Sequence, residues 1–287
     1  MTKSGQDKLL LGLIGAGIQT SPTPGIHERE AAEHGIRCIY QLIDIDELGL
    51  TVDWLPELLT GAERMGFSGL NITHPCKQRI VPLLTDLSED ADRLGAVNTV
   101  LLRNGKRIGH NTDWLGFAEN IRQGLPDARM DRVVQLGAGG AGAATAYAAL
   151  KLGVKELTIF DISADSEEQL VDALALYFGD SRVKGGGKLA EAMAHADGLI
   201  HATFTGMKRH PGMPLPETLL RPDLWVAEIV YLTFETELLR TARRIGCRTL
   251  DGTGMAVYQA AKSFELFTGV VPDMKRMAQN FTALRPD

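Results

Sequence analysis

Short apolar runs alternate with helical spacings over the first hundred residues. Residues 9–14, 38–43 and 69–72 read as strands, and apolar positions three and four apart predict helices over 25–34 and 56–65. This βαβαβ rhythm implies a mostly parallel sheet. Asn104-Gly105, between apolar runs at 97–103 and 106–110, is a hairpin turn because both residues accept positive φ. The hairpin supplies an antiparallel edge. It pairs positions whose numbers sum to 209, which sets Asn98 opposite Asn111 and brings Asp113 to the same open end. A second alternation follows: strands at 133–136, 157–160, 198–201 and 225–231, a helix reaching Leu152, and a helix from Asp165 opened by an Asp165…Glu168 box. Beyond Gly252 the pattern is purely helical, at 255–267 and 273–283, and suits packing back on the first domain. The expected fold is α/β in two domains with a cleft between them. Residues 1–113 with 254–287 form a substrate domain, and residues 114–253 a Rossmann-type dinucleotide-binding domain.

Length and composition agree with two soluble domains: 287 residues, 44% hydrophobic, 23% charged and 31 glycines. A net charge of −6 and 6% aromatic residues offer neither a field nor stacking platforms for nucleic acid, so a small ligand is the expected partner. Cys38, Cys76 and Cys247 contain no CxxC and fit a reducing cytoplasm. Lys3 and Lys8 before an apolar run imitate a signal peptide, but Asp7 interrupts the charge and a strand ending in a glycine turn accounts for the same residues. The uncharged stretch 133–150 holds too many glycines for a membrane span, so no membrane partner is expected. His27-Glu28 with His34 is similar to a zinc-protease helix, but that motif needs its histidines four apart and these are seven apart; no metal is expected.

Gly137-Ala138-Gly139-Gly140-Ala141-Gly142 follows a strand and opens an alanine-rich helix, the context in which GxGxxG cradles a dinucleotide. Gly137 permits the turn, Gly139 admits a pyrophosphate to the backbone, and Gly142 lets helix and strand approach. Asp161 lies 24 residues after Gly137 at the end of the next strand, where a carboxylate accepts from the adenosine ribose and repels a 2′-phosphate. No Lys or Arg follows, since Ile162-Ser163 come next, so NAD is expected over NADP. Gly15-Ala16-Gly17 lacks the third glycine.

In the first domain Asn71 and Thr73 project to the same side, and Lys77 falls just beyond Pro75 in what reads as the first turn of a helix. A lysine is disfavoured there by the helix dipole and so has another task. Asn98 reads equally as a satisfied buried amide, and Asp113 as a helix cap before Trp114.

These residues resemble the shikimate/quinate dehydrogenase family, and the match spans nearly the whole chain. Ser21-Pro22-Thr23-Pro24-Gly25-Ile26-His27 resembles its carboxylate-binding turn, and Asn71-Ile72-Thr73-His74-Pro75-Cys76-Lys77 its Asn-Val-Thr-x-Pro-x-Lys. Gly95-Ala96-Val97-Asn98-Thr99, Asn111-Thr112-Asp113, Ala202-Thr203 with Gly206-Met207, Ile229-Val230-Tyr231, and Asp251-Gly252 with Gly254-Met255 and Gln259 are similar to further family motifs. The resemblance implies Lys77 and Asp113 as the catalytic pair. It implies Ser21 and Thr23 as binders of the substrate carboxylate, and Asn71, Thr73, Asn98, Asp113 and Gln259 as binders of ring hydroxyls. Thr203, Tyr231, Gly252 and Met255 would join the glycine turn and Asp161 in holding NAD. The chain departs from the family at Gly17, Thr20, His201, Glu228 and Leu232-Thr233-Phe234.

The implied reaction is NAD-dependent oxidation of shikimate, quinate or both. Lys77 accepts the hydroxyl proton; burial lowers a lysine pKa while a neighbouring carboxylate raises it. Thr23 in the carboxylate turn is associated by the resemblance with quinate use. The rival readings are a strict NADP-linked biosynthetic shikimate dehydrogenase and a catalytically silent sensor of NAD or a metabolite. A homodimer is the assembly to test.

Overall fold

A computed structural model describes residues 8–231, 233 and 235–284. Lys3 and Asp7 of the signal-like start, and Leu232 and Phe234, lie outside the described residues. Contacts divide the chain into two units, one of residues 8–112 with 259–284 and the other Asp113–Tyr258.

In the first unit β1 (Lys8–Gly15), α1 (Thr23–Glu33), β2 (Arg37–Asp44), α2 (Leu55–Arg64) and β3 (Gly69–Ile72) form the expected parallel core, ordered β2-β1-β3. The last five residues of β1 and all of β3 are buried, as continuous apolar strands covered on both faces must be. Next come β4 (Asp86–Leu87), α3 (Glu89–Leu94), β5 (Thr99–Arg103) and β6 (Lys106–His110), which complete the order β2-β1-β3-β5-β6-β4. The hairpin register runs from Thr99↔His110 to Arg103↔Lys106, turned by Asn104 at φ 54° and Gly105 at φ 73°. Two expectations are corrected. Strand β5 begins at Thr99 rather than 97, because the Val97 N–H donates to the Lys77 carbonyl (2.9 Å) instead of the ladder. The hairpin is not the sheet edge: β4 pairs parallel with β6 outside it, and two residues of strand carry no readable period.

The second unit holds α4 (Asp113–Gly124), β7 (Arg132–Leu136), α5 (Gly140–Lys151), β8 (Glu156–Phe160), α6 (Ala164–Phe178), β9 (Val183–Gly185), α7 (Leu189–Ala194), β10 (Gly198–His201), β11 (Trp225–Glu228), α8 (Glu237–Ile245) and β12 (Arg248–Leu250). Its sheet is parallel throughout, in the order β12-β11-β10-β7-β8-β9. The strand order reverses between β7 and β10, which is the doubly wound arrangement whose ligands lie at the carboxyl ends of the strands. The expected Asp165…Glu168 box does not open α6. Ser163 does, its Oγ accepting from the Ser166 N–H (3.2 Å), so the cap comes two residues earlier. Strand β11 stops at Glu228, short of the expected 231.

Helix α9 (Thr253–Thr268) begins in the second unit, and from Gln259 onward its residues belong to the first, as does α10 (Met274–Leu284). The expected return of the last helices to the first domain is therefore present. Phe264 and Phe267 stack around His27 of α1, with ring centroids 6.2 and 6.1 Å away. Arg276 of α10 grips the fully buried Glu30 of α1 through two bonds of 2.7 Å, and the Asp273 N–H adds a third (2.8 Å). A buried carboxylate with these three hydrogen bonds, and His34 Nε2 3.0 Å from the same group, is compensated; without them it is strongly destabilising.

Candidate active site

The nucleotide side is built from the chain reversal after β7. Gly137 sits at φ 106°, and a Cβ there would lie 2.5 Å from the Ala202 carbonyl oxygen. At Gly142 a Cβ would meet the Gly137 oxygen at 2.3 Å, so only glycine lets α5 start this close to the strand. Gly139 is the residue before α5, exposed, with open space above it and no side-chain cap on the helix. The N–H groups of Gly140, Ala141 and Gly142 consequently have no acceptor within the helix and remain available to an anion. This open, uncapped cradle, with the Thr203 methyl at its edge beside Gly137, fits a pyrophosphate.

Beneath the turn lies a residue missed from sequence. The buried Gln135 amide donates to the carbonyls of Gly137 (2.9 Å) and Gly142 (2.8 Å), and its oxygen accepts from Thr145 (2.9 Å). A lone glutamine inside the apolar Arg132–Leu136 strand was the available signal.

Asp161 follows β8 and is tied to the turn. One carboxylate oxygen accepts from the Ala138 N–H (2.6 Å), the other from the Ser163 N–H (2.8 Å). Its own N–H donates to Glu167 (3.0 Å), which sets a second carboxylate beside it, and Ile162 is fully exposed. Glu167 had no sequence signal beyond its helical position. Thr203 follows β10 with its methyl close to Gly137, while Gly252 lies where a Cβ would strike the Ile229 carbonyl at 2.3 Å. Met255 is buried in the first turn of α9. Asp113 is buried at the start of α4, and burial together with its charge pushes the Tyr231 phenol above its ordinary pKa.

In the first unit the Ser21 hydroxyl donates to that of Thr23 (3.0 Å), so the two side chains form one polar patch at the head of α1. The Thr23 carbonyl accepts from His27 Nδ1 (3.0 Å). Burial drives the His27 pKa down to about 4, only partly offset by that bond, so the ring is neutral near pH 7. Asn71 donates to the Asn98 carbonyl (3.2 Å), Thr99 (3.1 Å) and Ser263 (3.3 Å), and accepts from Tyr40 (2.7 Å). Asn98 donates to Thr112 (2.9 Å) and Gln259 (3.5 Å) and accepts from the Thr112 N–H (2.8 Å). The structure thus gathers Asn71, Asn98 and Gln259 into one network and adds Tyr40, Thr99, Thr112 and Ser263, which sequence reading missed. Thr73 is half-buried, its methyl against Gly15.

Lys77 is not in a helix. Residues 73–80 run through successive turns, with Cys76 N bonded to Thr73 O (2.8 Å) and Ile80 N to Cys76 O (3.0 Å), so the helix-dipole reason for singling it out does not apply. Its half-buried place just after the Asn71-Thr73 strand end is what commends it. Among the described residues no cluster of His, Cys, Asp and Glu is arranged to hold a metal, and no helix is long and apolar enough to cross a membrane.

A doubly wound sheet with this cradle, in a chain that also carries a separate α/β unit rich in buried amides and hydroxyls, defines a pyridine-nucleotide oxidoreductase. The chain belongs to the shikimate dehydrogenase family. Residues 13–100 match the shikimate dehydrogenase substrate binding domain, and residues 252–279 the shikimate 5′-dehydrogenase C-terminal domain. It is 53% identical over 281 residues, 97% of both chains, to shikimate dehydrogenase (NADP(+)) of Streptomyces avermitilis. To quinate/shikimate dehydrogenase (NAD(+)) of Corynebacterium efficiens it is 47% identical over 281 residues, 97% of this chain and 99% of that one. It superposes on quinate dehydrogenase from Corynebacterium glutamicum in complex with NAD with a TM-score of 0.91 at 44% identity, covering 96% of this chain and 99% of that one. The family resemblance read from the motifs is borne out.

Proposed function

We propose that this enzyme is an NAD-linked dehydrogenase of quinate, shikimate or both. The observation that carries the cofactor choice is Asp161, pinned to the glycine turn by Ala138, flanked by Glu167 and followed by the exposed, uncharged Ile162. Two carboxylates here favour a ribose diol, whose hydroxyls donate, over a phosphate, which only accepts. NADP-linked shikimate oxidation, named for the Streptomyces relative, is the rival. It would set a 2′-phosphate against those carboxylates.

Bound nicotinamide supplies the redox chemistry by accepting hydride from the alcohol carbon. Ser21 and Thr23 hold the substrate carboxylate with their hydroxyls. Asn71, Thr73, Asn98 and Gln259 orient ring hydroxyls; Asn71 and Asn98, fixed by their own hydrogen bonds, offer a preorganised wall. The Lys77 amine takes the proton from the reacting hydroxyl, and Asp113 accepts a hydrogen bond that orients that hydroxyl. Gly137 to Gly142, Thr203, Tyr231, Gly252 and Met255 contribute to the nucleotide site. The test is steady-state oxidation of quinate and shikimate, each with NAD and with NADP. Turnover with NAD at the higher kcat/KM supports the reading; absence of turnover on both acids, or preference for NADP, refutes its substrate or its cofactor half respectively.

A further inference from the structure

At the carboxyl ends of β10 and β11, His201 and Glu228 face each other in register and are fully buried. Nδ1 of His201 lies 2.7 Å from Glu228 Oε1, and Nε2 lies 2.6 Å from the Thr203 hydroxyl. The other Glu228 oxygen accepts from the Thr236 hydroxyl, which in turn accepts from the Leu239 N–H at the start of α8 (3.2 Å). A chain of hydrogen bonds therefore runs from the α8 terminus through a carboxylate and an imidazole to Thr203. Buried polar networks of this kind hold one geometry rigidly.

Thr203 is where the chain ends. Its methyl stands 3.1 Å from the Cβ position of Gly137, at the edge of the nucleotide cradle, and it is only partly buried. We infer that His201 and Glu228 are positioning residues that fix the orientation and polarity of the Thr203 hydroxyl toward a bound nicotinamide nucleotide. Glu228 accepts, so the Nδ1 of His201 carries a proton. In the neutral ring Nε2 then accepts the Thr203 proton, and the Thr203 oxygen also accepts from the Thr205 N–H (3.2 Å). In that tautomer the hydroxyl offers a lone pair outward, the polarity that suits an amide N–H donor such as a carboxamide.

The inference rests on the reading that the cradle takes a nicotinamide nucleotide, but not on which one or on the substrate. The test is a double-mutant cycle on nucleotide affinity, with NADH and NADPH each titrated by fluorescence into wild type, His201→Asn, Thr203→Val and the double variant. Each single change is expected to weaken the tighter nucleotide by about 5–20-fold, the double variant no more than Thr203→Val alone, and Thr203→Ser to bind like wild type. Glu228→Gln should reproduce the loss and its disappearance in the Thr203→Val background, which keeps the test open if His201→Asn folds poorly. A merely structural pair would shift the thermal midpoint and leave affinity unchanged, or multiply with Thr203→Val; either result overturns the inference. Binding of neither nucleotide by wild type overturns it together with the cofactor reading, whereas binding without turnover on quinate or shikimate defeats only the substrate reading.

Discussion

Replacing Asp161 by Asn removes a charge while keeping an oxygen that can accept from the Ala138 N–H, so the turn retains its shorter tether. The change isolates electrostatics from geometry. A ribose 2′-phosphate bound at the end of β8 would lie on the order of 5 Å from this carboxylate, where one pair of like charges costs about 0.8 kcal/mol in water and about 3 kcal/mol at an effective dielectric near 20. Asp161 is partly exposed, which places the penalty nearer the lower figure, and the phosphate carries more than one charge. A net of about 1–2 kcal/mol follows, or about 5–30-fold in the ratio of kcat/KM for NAD over NADP. Adding Ile162→Arg, at a side chain already fully exposed, supplies a bidentate phosphate partner and should move the ratio by roughly another 5–10-fold. The assay is initial rates with both nucleotides at saturating acid substrate, with the thermal midpoint recorded because one backbone partner of the carboxylate, the Ser163 N–H, is lost. A ratio within about twofold of wild type in Asp161→Asn refutes the assignment of this carboxylate to the ribose.

Lys77→Ala should lower kcat by about 10²–10⁴-fold with little change in NAD affinity, and Asp113→Asn should impair both kcat and KM; near-normal turnover in either returns that residue to a structural role. Thr23→Ser removes one methyl beside the Ser21 hydroxyl and should shift the quinate-to-shikimate kcat/KM ratio by up to about 1–3 kcal/mol, measured by paired steady-state assays; an unchanged ratio excludes Thr23 from discrimination. Acid stability gives an independent check. His27 titrates near 4 in the fold and near 6.5 unfolded, so the unfolded chain binds the extra proton between those values, and stability present above pH 6.5 is lost as pH falls toward 4. The span corresponds to about 3 kcal/mol, read from urea unfolding across that range; His27→Phe should flatten the slope, and an unflattened slope assigns the effect elsewhere.

Much of this architecture was legible because its signals are local. Gly69–Ile72 and Gly198–His201 were bounded to the residue, since a short apolar run flanked by turn residues has few alternatives, and Asn104-Gly105 set the hairpin register because two positive φ angles fix how strands pair. The glycine turn was readable for the same reason. Illegible features depend on partners distant in sequence. Asp165 and Ser163 both have capping chemistry, and only the chain's direction out of β8 selects Ser163. Lys77 follows a proline that suggested a helix, yet the segment is drawn into turns, with its carbonyl holding Val97. Tyr40 and Ser263 reach Asn71 across 31 and 192 residues, a relation no spacing rule contains.

The grip of Arg276 on Glu30 has a consequence for how the chain acquires its structure during synthesis. Its two partners are separated by 246 residues, with the whole of Asp113–Tyr258 emerging between them. A nascent chain that has just exposed β1 to β6 still lacks the phenylalanines that surround His27 and the guanidinium that neutralises Glu30. The contiguous second unit has no such debt to the end of the chain, apart from the α9 turn that closes it. Of the two units, the one whose strands are made earlier is therefore the later to finish folding, and its apolar, acid-bearing helix face waits for α10 until all of Asp113–Tyr258 has been synthesised.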